Sequence, residues 1–343
     1  MSRTVLVTGA ARQLSGRFVR HIRRDPDVVR VIGVDTRSPA YPLGGAEFVR
    51  ADIRQPSIVA VLAEYAVDTV VHLDVHGTPA TAGGGRAAVK ELNVLGTLQL
   101  LGACQKVPGL RSVVVKSSTQ IYGTAVREPA VADEAAPPKA PAGGGFAQDV
   151  AEIEGYLRGF ARRCPDVRVT VLRFAHVLGP AADSRLAAYF KLPVLPTVLG
   201  YDPRLQFVHE DDVLDVLSRA VRDGRAGLGA GTFNVAGEGV LMLSQAARRI
   251  GRPTLPVVKA LAPVLGSALG ALGLGGASAE QIRSLVHGRV VRTERLREAM
   301  GGPLRYTTPE TFADFAAVHG PGLLPPDVVT RAVDRIEEVL RRG

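Results

Sequence analysis

The residues best suited to chemistry near the start of the sequence are a glycine and an acid, each following a short apolar run. The β-branched run Thr4 to Thr8 is typical of a buried strand and stops at Gly9, and apolar residues recur at helical spacing from Gln13. Free amides at a helix start, together with the helix dipole, favour an anion. The next apolar run ends at Asp35, a carboxylate suited to accept hydrogen bonds from ribose hydroxyls. This order of strand, turn, helix and acid predicts a site for a dinucleotide.

The same stretch resembles the opening of the extended short-chain dehydrogenase/reductases of the NAD-dependent epimerase/dehydratase family. It is most similar to the UDP-glucose 4-epimerase-like members from actinobacteria. The family opens with TGxxGxxG. Here Gly9 matches the first glycine, Arg12 and Ser15 stand at the second and third, and Gly16 comes one place late. Four later segments carry the resemblance further: KELNVLGTLQLL, SSTQIYG, LRFAHVLGP and RLQFVHEDDV.

The resemblance implies NAD as the cofactor and a set of contacts at the strand ends. These are Gly9, Arg12, Gln13, Leu14, Asp35, Asp52, Ile53, Leu73, Asn93 and Ser117. Arg12 would reach the pyrophosphate in place of the missing glycine, and Asn93 also matches a residue that braces the active-site strand. Asp52 would face the adenine, although a helix cap explains it nearly as well. Asp35 favours NAD over NADP because its charge repels a 2′-phosphate, and the nearby Arg37 weakens that preference.

For catalysis the resemblance implies one retained residue and two replaced ones. Ser118 falls on the serine or threonine that hydrogen-bonds the substrate oxygen undergoing redox. The family's YxxxK pair supplies a tyrosine acid/base and a lysine that lowers its pKa, but here Phe146 and Val150 stand at those positions. Asp149 is a speculative substitute base.

His76 and His176 are the other candidates for that base. Two functional classes therefore stay open. One is an enzyme that acts on a nucleotide-sugar or similar anionic small molecule. The other is a dinucleotide-binding protein without redox turnover, used in regulation or as a scaffold.

The elements that must position these residues alternate between strand and helix, so the predicted fold is α/β. We expect a Rossmann-type doubly wound parallel sheet with a smaller C-terminal cap. Residues 1–178 and about 204–237 form the expected cofactor domain, and residues 179–203 and 238–343 form the cap. Strands are predicted at 4–8, 31–35, 46–52, 67–73, 167–174 and 232–237, and 112–123 is predicted to be a further strand together with its exit. A final helix is predicted at 327–340. Residues 124–145 read as a surface loop over the site.

Composition narrows the class further. The chain has 343 residues and a net charge of +9, but its arginines are scattered among acids and it has no tryptophan, which disfavours nucleic acid as a partner. Two cysteines, Cys104 and Cys164, suggest free thiols in the cytoplasm, and no metal-ligand spacing is present. The uncharged stretch 260–279 is rich in glycine and contains Pro263, so we expect a cap helix rather than membrane contact. The expected partner is a small molecule, and a homodimer is allowed.

Overall fold

The computed structural model describes residues 2–77, 85–123, 131–138, 145–258 and 288–320. Most of the predicted loop over the site, the uncharged stretch 260–279 and the final helix at 327–340 lie outside these ranges. The strands are β1 (Arg3–Thr8), β2 (Val28–Asp35), β3 (Glu47–Arg50), β4 (Thr69–His72), β5 (Ser112–Ser118), β6 (Arg168–Phe174), β7 (His176–Leu178), β8 (Leu195–Val198), β9 (Arg204–Leu205), β10 (Phe207–His209), β11 (Gly231–Val235), β12 (Leu241–Met242) and β13 (Thr254–Val257).

The helices flank these strands in the alternation that the sequence predicts. They are α1 (Gln13–Ile22), α2 (Ile58–Glu64), α3 (Arg86–Lys90), α4 (Gly96–Cys104), α5 (Phe146–Arg163), α6 (Arg185–Phe190), α7 (Glu210–Val221), α8 (Leu243–Arg249), α9 (Glu294–Met300) and α10 (Thr308–His319). A π-helical segment, Glu91–Leu95, joins α3 to α4. Helix α7 begins at Glu210, where the His209 ring caps it by accepting from the Asp211 N–H.

The central sheet has seven parallel strands in the order β11-β6-β5-β4-β1-β2-β3. This order confirms the predicted Rossmann-type doubly wound fold. The chain moves outward from β1 in one direction through β2 and β3, and in the other through β4, β5 and β6. The order therefore reverses between β1 and β4, and ligands of such sheets bind at the strand carboxyl ends beside that reversal.

Both faces of the sheet are covered, since successive side chains of a strand point to opposite faces. On β1, Val5 and Val7 pack with α1 and α7, while Leu6 packs with the core beneath α2, α4 and α5. Each of these three side chains is fully buried. The continuous apolar runs of the inner strands follow from this double coverage.

A separate core lies beyond the sheet, between α6, α8 and α10. Phe190 is its centre, and its ring makes an edge contact with Phe312 at 4.9 Å between centroids. Aromatic pairs prefer this edge-on geometry because ring edges are positive and ring faces negative. Within the described residues, no helix is long and apolar enough to cross a bilayer, and no trio of potential metal ligands occurs.

Candidate functional site

A cleft of about 280 Å³ opens over the carboxyl ends of β1, β4, β5 and β6, beside the strand-order reversal. The residues that line it come from the sheet domain, from the segment around α6 and from position 289. Its lining comprises Arg12, Gln13, Leu14, Ser15, Val75, His76, Gly77, Lys116, Ser117, Ser118, Gln120, Phe146, Phe174, Ala175, His176, Val177, Ala182, Asp183, Ser184, Arg185, Leu186, Glu210 and Arg289.

The turn between β1 and α1 presents backbone donors to this cleft. Gly9 takes a positive φ of 74°, a conformation that suits glycine, and the turn closes as the Arg12 N–H donates to the Gly9 carbonyl. Gln13, Leu14 and Ser15 line the cleft, and their N–H groups meet no acceptor among the described residues. No side chain caps this helix start and no acid lies in its first turn. The turn is thus an open anion site.

Arg12 occupies the position of the family's second glycine and is already paired. Its Nε lies 3.4 Å from an Asp74 carboxylate oxygen, and His76 Nε2 lies 2.6 Å from the same oxygen. Burial would raise the pKa of Asp74, but the hydrogen bond and charge of His76, with the charge of Arg12, hold that pKa well below its usual range. Asp74 also crowds the turn, since a Cβ on Gly9 would lie 3.2 Å from its Cβ.

The predicted adenosine end lies outside the lining of this cleft. Asp35 ends β2 with 9% exposure and accepts from the N–H groups of Ala11 and Arg37 at 3.1 Å each. Asp52 is held by Arg54, whose hydrogen bonds lower the pKa of that carboxyl. Ile53, with Leu73, is buried in the core. The carboxylate of Asp35 is therefore fixed beside the β1–α1 turn. The roles of Asp35, Asp52, Ile53 and Leu73 toward NAD stay predictions.

Asn93 braces the loop after β4, and the π-helical segment carries it there. Its side chain accepts from the His76 N–H at 2.9 Å and donates to the His76 carbonyl at 2.8 Å. It also donates to Asp149 at 2.9 Å. Asn93 is fully buried, and its bonds hold the loop after β4 to α5. Its bracing of the active-site strand and its contact with NAD stay predictions.

The three predicted residues of α5 do not act as one group. Phe146 begins the helix and lines the cleft, with its ring 3.4 Å from the position of a Cβ on Gly77. Val150 is fully buried among apolar neighbours. Asp149 is also fully buried, and Arg86 binds both of its oxygens at 2.7 and 2.5 Å. Asp149, the candidate replacement base, is thus held in an ion pair with Arg86 and does not line the cleft.

The two serines at the end of β5 face different surroundings. Ser118 lines the cleft and caps a short turn by accepting from the Gln120 N–H at 3.2 Å. Ser117 donates to Glu154 at 2.6 Å, and Glu154 pairs with Arg173 at 2.6 Å. Ser118 is accordingly the serine free to meet a substrate oxygen, whereas Ser117 anchors the strand to α5.

Several charged residues of the cleft were not among the predicted site residues. Lys116, Arg185 and Arg289 all line it, although no motif singled them out. Strand periodicity held a signal for Lys116, because it stands two residues before Ser118 and therefore on the same face of β5. His176, a candidate base, does line the cleft; burial and the charge of Arg289 lower its pKa to about 4.

Comparison with known proteins identifies the family to which this geometry belongs. The family model described as NAD dependent epimerase/dehydratase matches residues 5–236. The chain belongs to that family. NAD, the predicted cofactor, is the cofactor that the family's description names. The replacement of the family's tyrosine and lysine by Phe146 and Val150 stays a prediction from spacing.

Two relatives and one solved structure are similar to this chain. An uncharacterised protein of Mycobacterium tuberculosis is 43% identical over 327 residues, covering 94% of this chain and 85% of its own. A UDP-glucose 4-epimerase of Mycolicibacterium smegmatis is 32% identical over 254 residues, covering 68% and 77%. The structure of a UDP-glucose 4-epimerase from Thermotoga maritima with UDP-glucose has a TM-score of 0.71 at 19% identity, covering 92% and 98%.

Proposed function

We propose that this protein binds NAD and a nucleotide-sugar or a similar anionic small molecule in one cleft, with Phe146 and Val150 in place of the family's tyrosine and lysine. The observation that carries the proposal is the charge of the cleft wall. Open amides at the start of α1 lie in the same cleft as Arg12, Lys116, Arg185 and Arg289. Cations and oriented amides in a concave site favour phosphate-bearing ligands.

The residues at the strand ends fit NAD. The amides of Gln13, Leu14 and Ser15 would hold the pyrophosphate, and Asp35 would hold the adenosine ribose and disfavour a 2′-phosphate. When bound, the nicotinamide supplies hydride transfer. Ser118 would hold the substrate oxygen. Glu210 and Asp183 are acidic members of the wall, and they favour a ligand that also carries hydroxyl groups.

We also propose that residues 1–178 and about 204–237 serve the cofactor, while residues 179–203 and 238–343 serve the substrate. The lining supports this division, since Ala182 to Leu186 and Arg289 face the cleft across from α1. We further propose a cytoplasmic location and a homodimer. The buried free thiol of Cys104 supports the location, and the exposed apolar side chain of Leu95 supports the homodimer.

A second function, dinucleotide binding without turnover, rests on a specific observation. The helix that supplies the family's acid/base presents only a phenyl ring to the cleft, because Val150 is buried and Asp149 is bound by Arg86. Removing an acid/base typically costs roughly 10²–10⁴-fold in rate. Such a protein would hold NAD as a regulatory or structural ligand.

Calorimetry followed by a turnover assay tests both functions. We expect the protein to bind NAD, UDP-glucose and UDP, and not to bind glucose, which lacks phosphate. Conversion of UDP- or dTDP-sugars with formation of NADH or of an epimer supports the enzyme. Binding of NAD and UDP-glucose without any conversion supports the non-catalytic function, and a lack of binding to either ligand contradicts both.

A further inference from the structure

Lys116 lies on the floor of the cleft because of its register on β5. Alternate residues of this strand face opposite sides of the sheet. Val114 belongs to the core under α1 and α7, whereas Val113 and Val115 belong to the opposite core and Ser117 bonds to Glu154 of α5. Lys116 and Ser118 therefore stand on the α1 side, and both line the cleft. An ammonium group and a hydroxyl thus share one surface.

The surroundings of Lys116 make it an unusual lysine. Its side chain is largely buried, and among the described residues nothing accepts a hydrogen bond from its Nζ. The charged and titratable groups near Lys116 are Arg12 at the start of α1, Asp74 and His76 after β4, and Asp183 before α6. His72 of β4 lies on the opposite face of the sheet, where its ring bonds to Thr97 of α4. Burial and the charge of Arg12 lower the pKa of Lys116 to about 8, although Asp74 and Asp183 oppose the shift.

The other candidate bases are less well placed. His76 is bound to Asp74, and Asp149 is bound by Arg86 and Asn93. His176 lines the cleft but lies on β7, whereas Lys116 shares its strand face with Ser118. A lysine amine near neutrality exchanges protons readily, and enzymes lower lysine pKa values for this purpose.

We propose that Lys116 is the proton-transferring residue of this cleft, in place of the acid/base pair missing from α5. The inference rests on the proposed enzymatic function. Lys116 Nζ, as a neutral amine, accepts the proton of a substrate hydroxyl that Ser118 holds. With NAD bound, its nicotinamide would take the C–H electron pair as hydride, and the former hydroxyl would become a carbonyl. In the return step the Lys116 ammonium gives the proton back as hydride returns to the carbon, so atoms and charge balance.

The first test measures the amine itself and needs no turnover. Trace acetylation of the whole protein across pH, read by mass spectrometry, reports the titration of each lysine. We expect Lys116 to titrate near pH 8, and exposed Lys106 serves as the reference lysine. Bound NAD with UDP-glucose should protect Lys116 and leave Lys106 unchanged. An ordinary pKa at Lys116, or no protection despite binding, contradicts the proposal.

The second test separates proton transfer from anion binding. Lys116→Met should lower kcat by roughly 10²–10⁴-fold, the usual cost of losing an acid/base. Lys116→Arg keeps the positive charge but holds its proton, so it should retain ligand affinity without restoring kcat. Lys106→Met is the matched control and should behave like the unmutated protein. Both Lys116 variants must still bind NAD by calorimetry, because such binding shows that they are folded.

The outcomes distinguish this inference from the function on which it rests. A kcat that Lys116→Met leaves intact overturns the role of Lys116 and keeps the enzyme. Restoration of kcat by Lys116→Arg also overturns it, since charge alone would then suffice. Bound ligands without turnover in the unmutated protein overturn the proton role together with the catalytic function, and a lack of NAD binding in that protein overturns the proposed function first.

Discussion

At the scale of single residues, the cleft has cations beside the sheet and an apolar ring on α5. Arg12 and Lys116 line it at the ends of β1 and β5, while α5 presents the ring of Phe146. The motif positions were readable from spacing alone. The partners were not, because Asp74 and Arg12 meet only after β1 and β4 pair, more than 60 residues apart in the chain. Residue spacing therefore indicated where the motif residues lie in the sequence, but it did not predict the ion pair between Arg12 and Asp74.

Substitution of Asp35 tests the preference for NAD. Asp35→Ala should weaken NAD binding by about 10- to 100-fold, since a hydrogen bond to a charged group contributes about 1.5–3 kcal/mol. Asp35→Asn should admit NADP because it removes the charge that repels a 2′-phosphate. Titration calorimetry with both cofactors measures the change. Asp27→Ala, an exposed acid before β2, is the control. Equal affinity of the unmutated protein for both cofactors would contradict the assignment.

Lys116 should also give stability a dependence on alkaline pH. Its folded pKa of about 8 lies below the ordinary value of 10.5, so between these pH values the unfolded chain binds more protons than the folded one. The free energy of unfolding contributed by this group therefore rises with pH across that window and is flat below it. Urea titrations of the unmutated protein and Lys116→Met should diverge there. Parallel curves through the window would show an ordinary lysine.

Removal of the Asp149 carboxylate should affect folding. Asp149→Ala leaves Asn93 without one of its acceptors and Arg86 without its pair, and we expect a loss of about 1–3 kcal/mol, the cost of an unsatisfied buried group. Arg86 is half exposed and can regain water, which keeps the loss below that of a fully buried pair. Chemical denaturation measures it, with exposed Asp166→Ala as the control. An unchanged unfolding midpoint would argue against a structural role.

At the scale of elements, the strands of the central sheet were predictable and the two-residue strands were not. The predicted runs at 4–8 and 167–174 correspond closely to β1 and β6. The stretch 112–123, predicted as a strand and its exit, divides at Ser118, where β5 ends and a tight helical turn follows. The two-residue strands β9 and β12 have no periodic run, and they form only because a distant segment lies alongside.

The start of α1 contains a tight contact that explains the displaced glycine. Tyr41 crosses the helix and donates to the Arg12 carbonyl, and a Cβ on Gly16 would lie 2.4 Å from the Tyr41 ring. Gly16→Ala should therefore lower stability by about 1–3 kcal/mol through overpacking. Thermal unfolding measures the loss. The double variant Gly16→Ala/Tyr41→Ala should lose less than the sum of the two single variants, and strict additivity would refute the contact.

At the scale of the whole molecule, the second core holds the helical segment that closes one side of the structure. Four rings, those of Phe190, Phe207, Phe312 and Phe315, meet there across long sequence separations. The sequence predicted a C-terminal cap but not this core, because single aromatic residues in short elements carry no pattern. Family membership predicts the topology of the sheet, but it does not predict how these four rings pack.

Truncation of Phe312 tests the packing of this aromatic core. Phe312→Ala should lower the free energy of unfolding by about 3–5 kcal/mol, since the side chain is fully buried and its loss leaves a cavity. Val318→Ala on the same helix is the control, because Val318 is 58% exposed. Denaturant titration compares the two. A loss at Phe312 no larger than that at Val318 would mean that α10 does not close the core.

The contacts of α7 have a consequence for the order in which the protein takes shape during synthesis. Arg17 of α1 pairs with Asp211, which lies 194 positions later, and Asp25 pairs with Arg222. Helix α7 covers the same sheet face as α1. The part of that face that α7 covers therefore stays exposed to solvent while the intervening chain emerges from the ribosome. Domains with such distant partners fold slowly and expose apolar surface while they wait. The apolar side chains of β1 and α1 that contact α7 therefore stay partly exposed in the nascent chain until α7 has been synthesised.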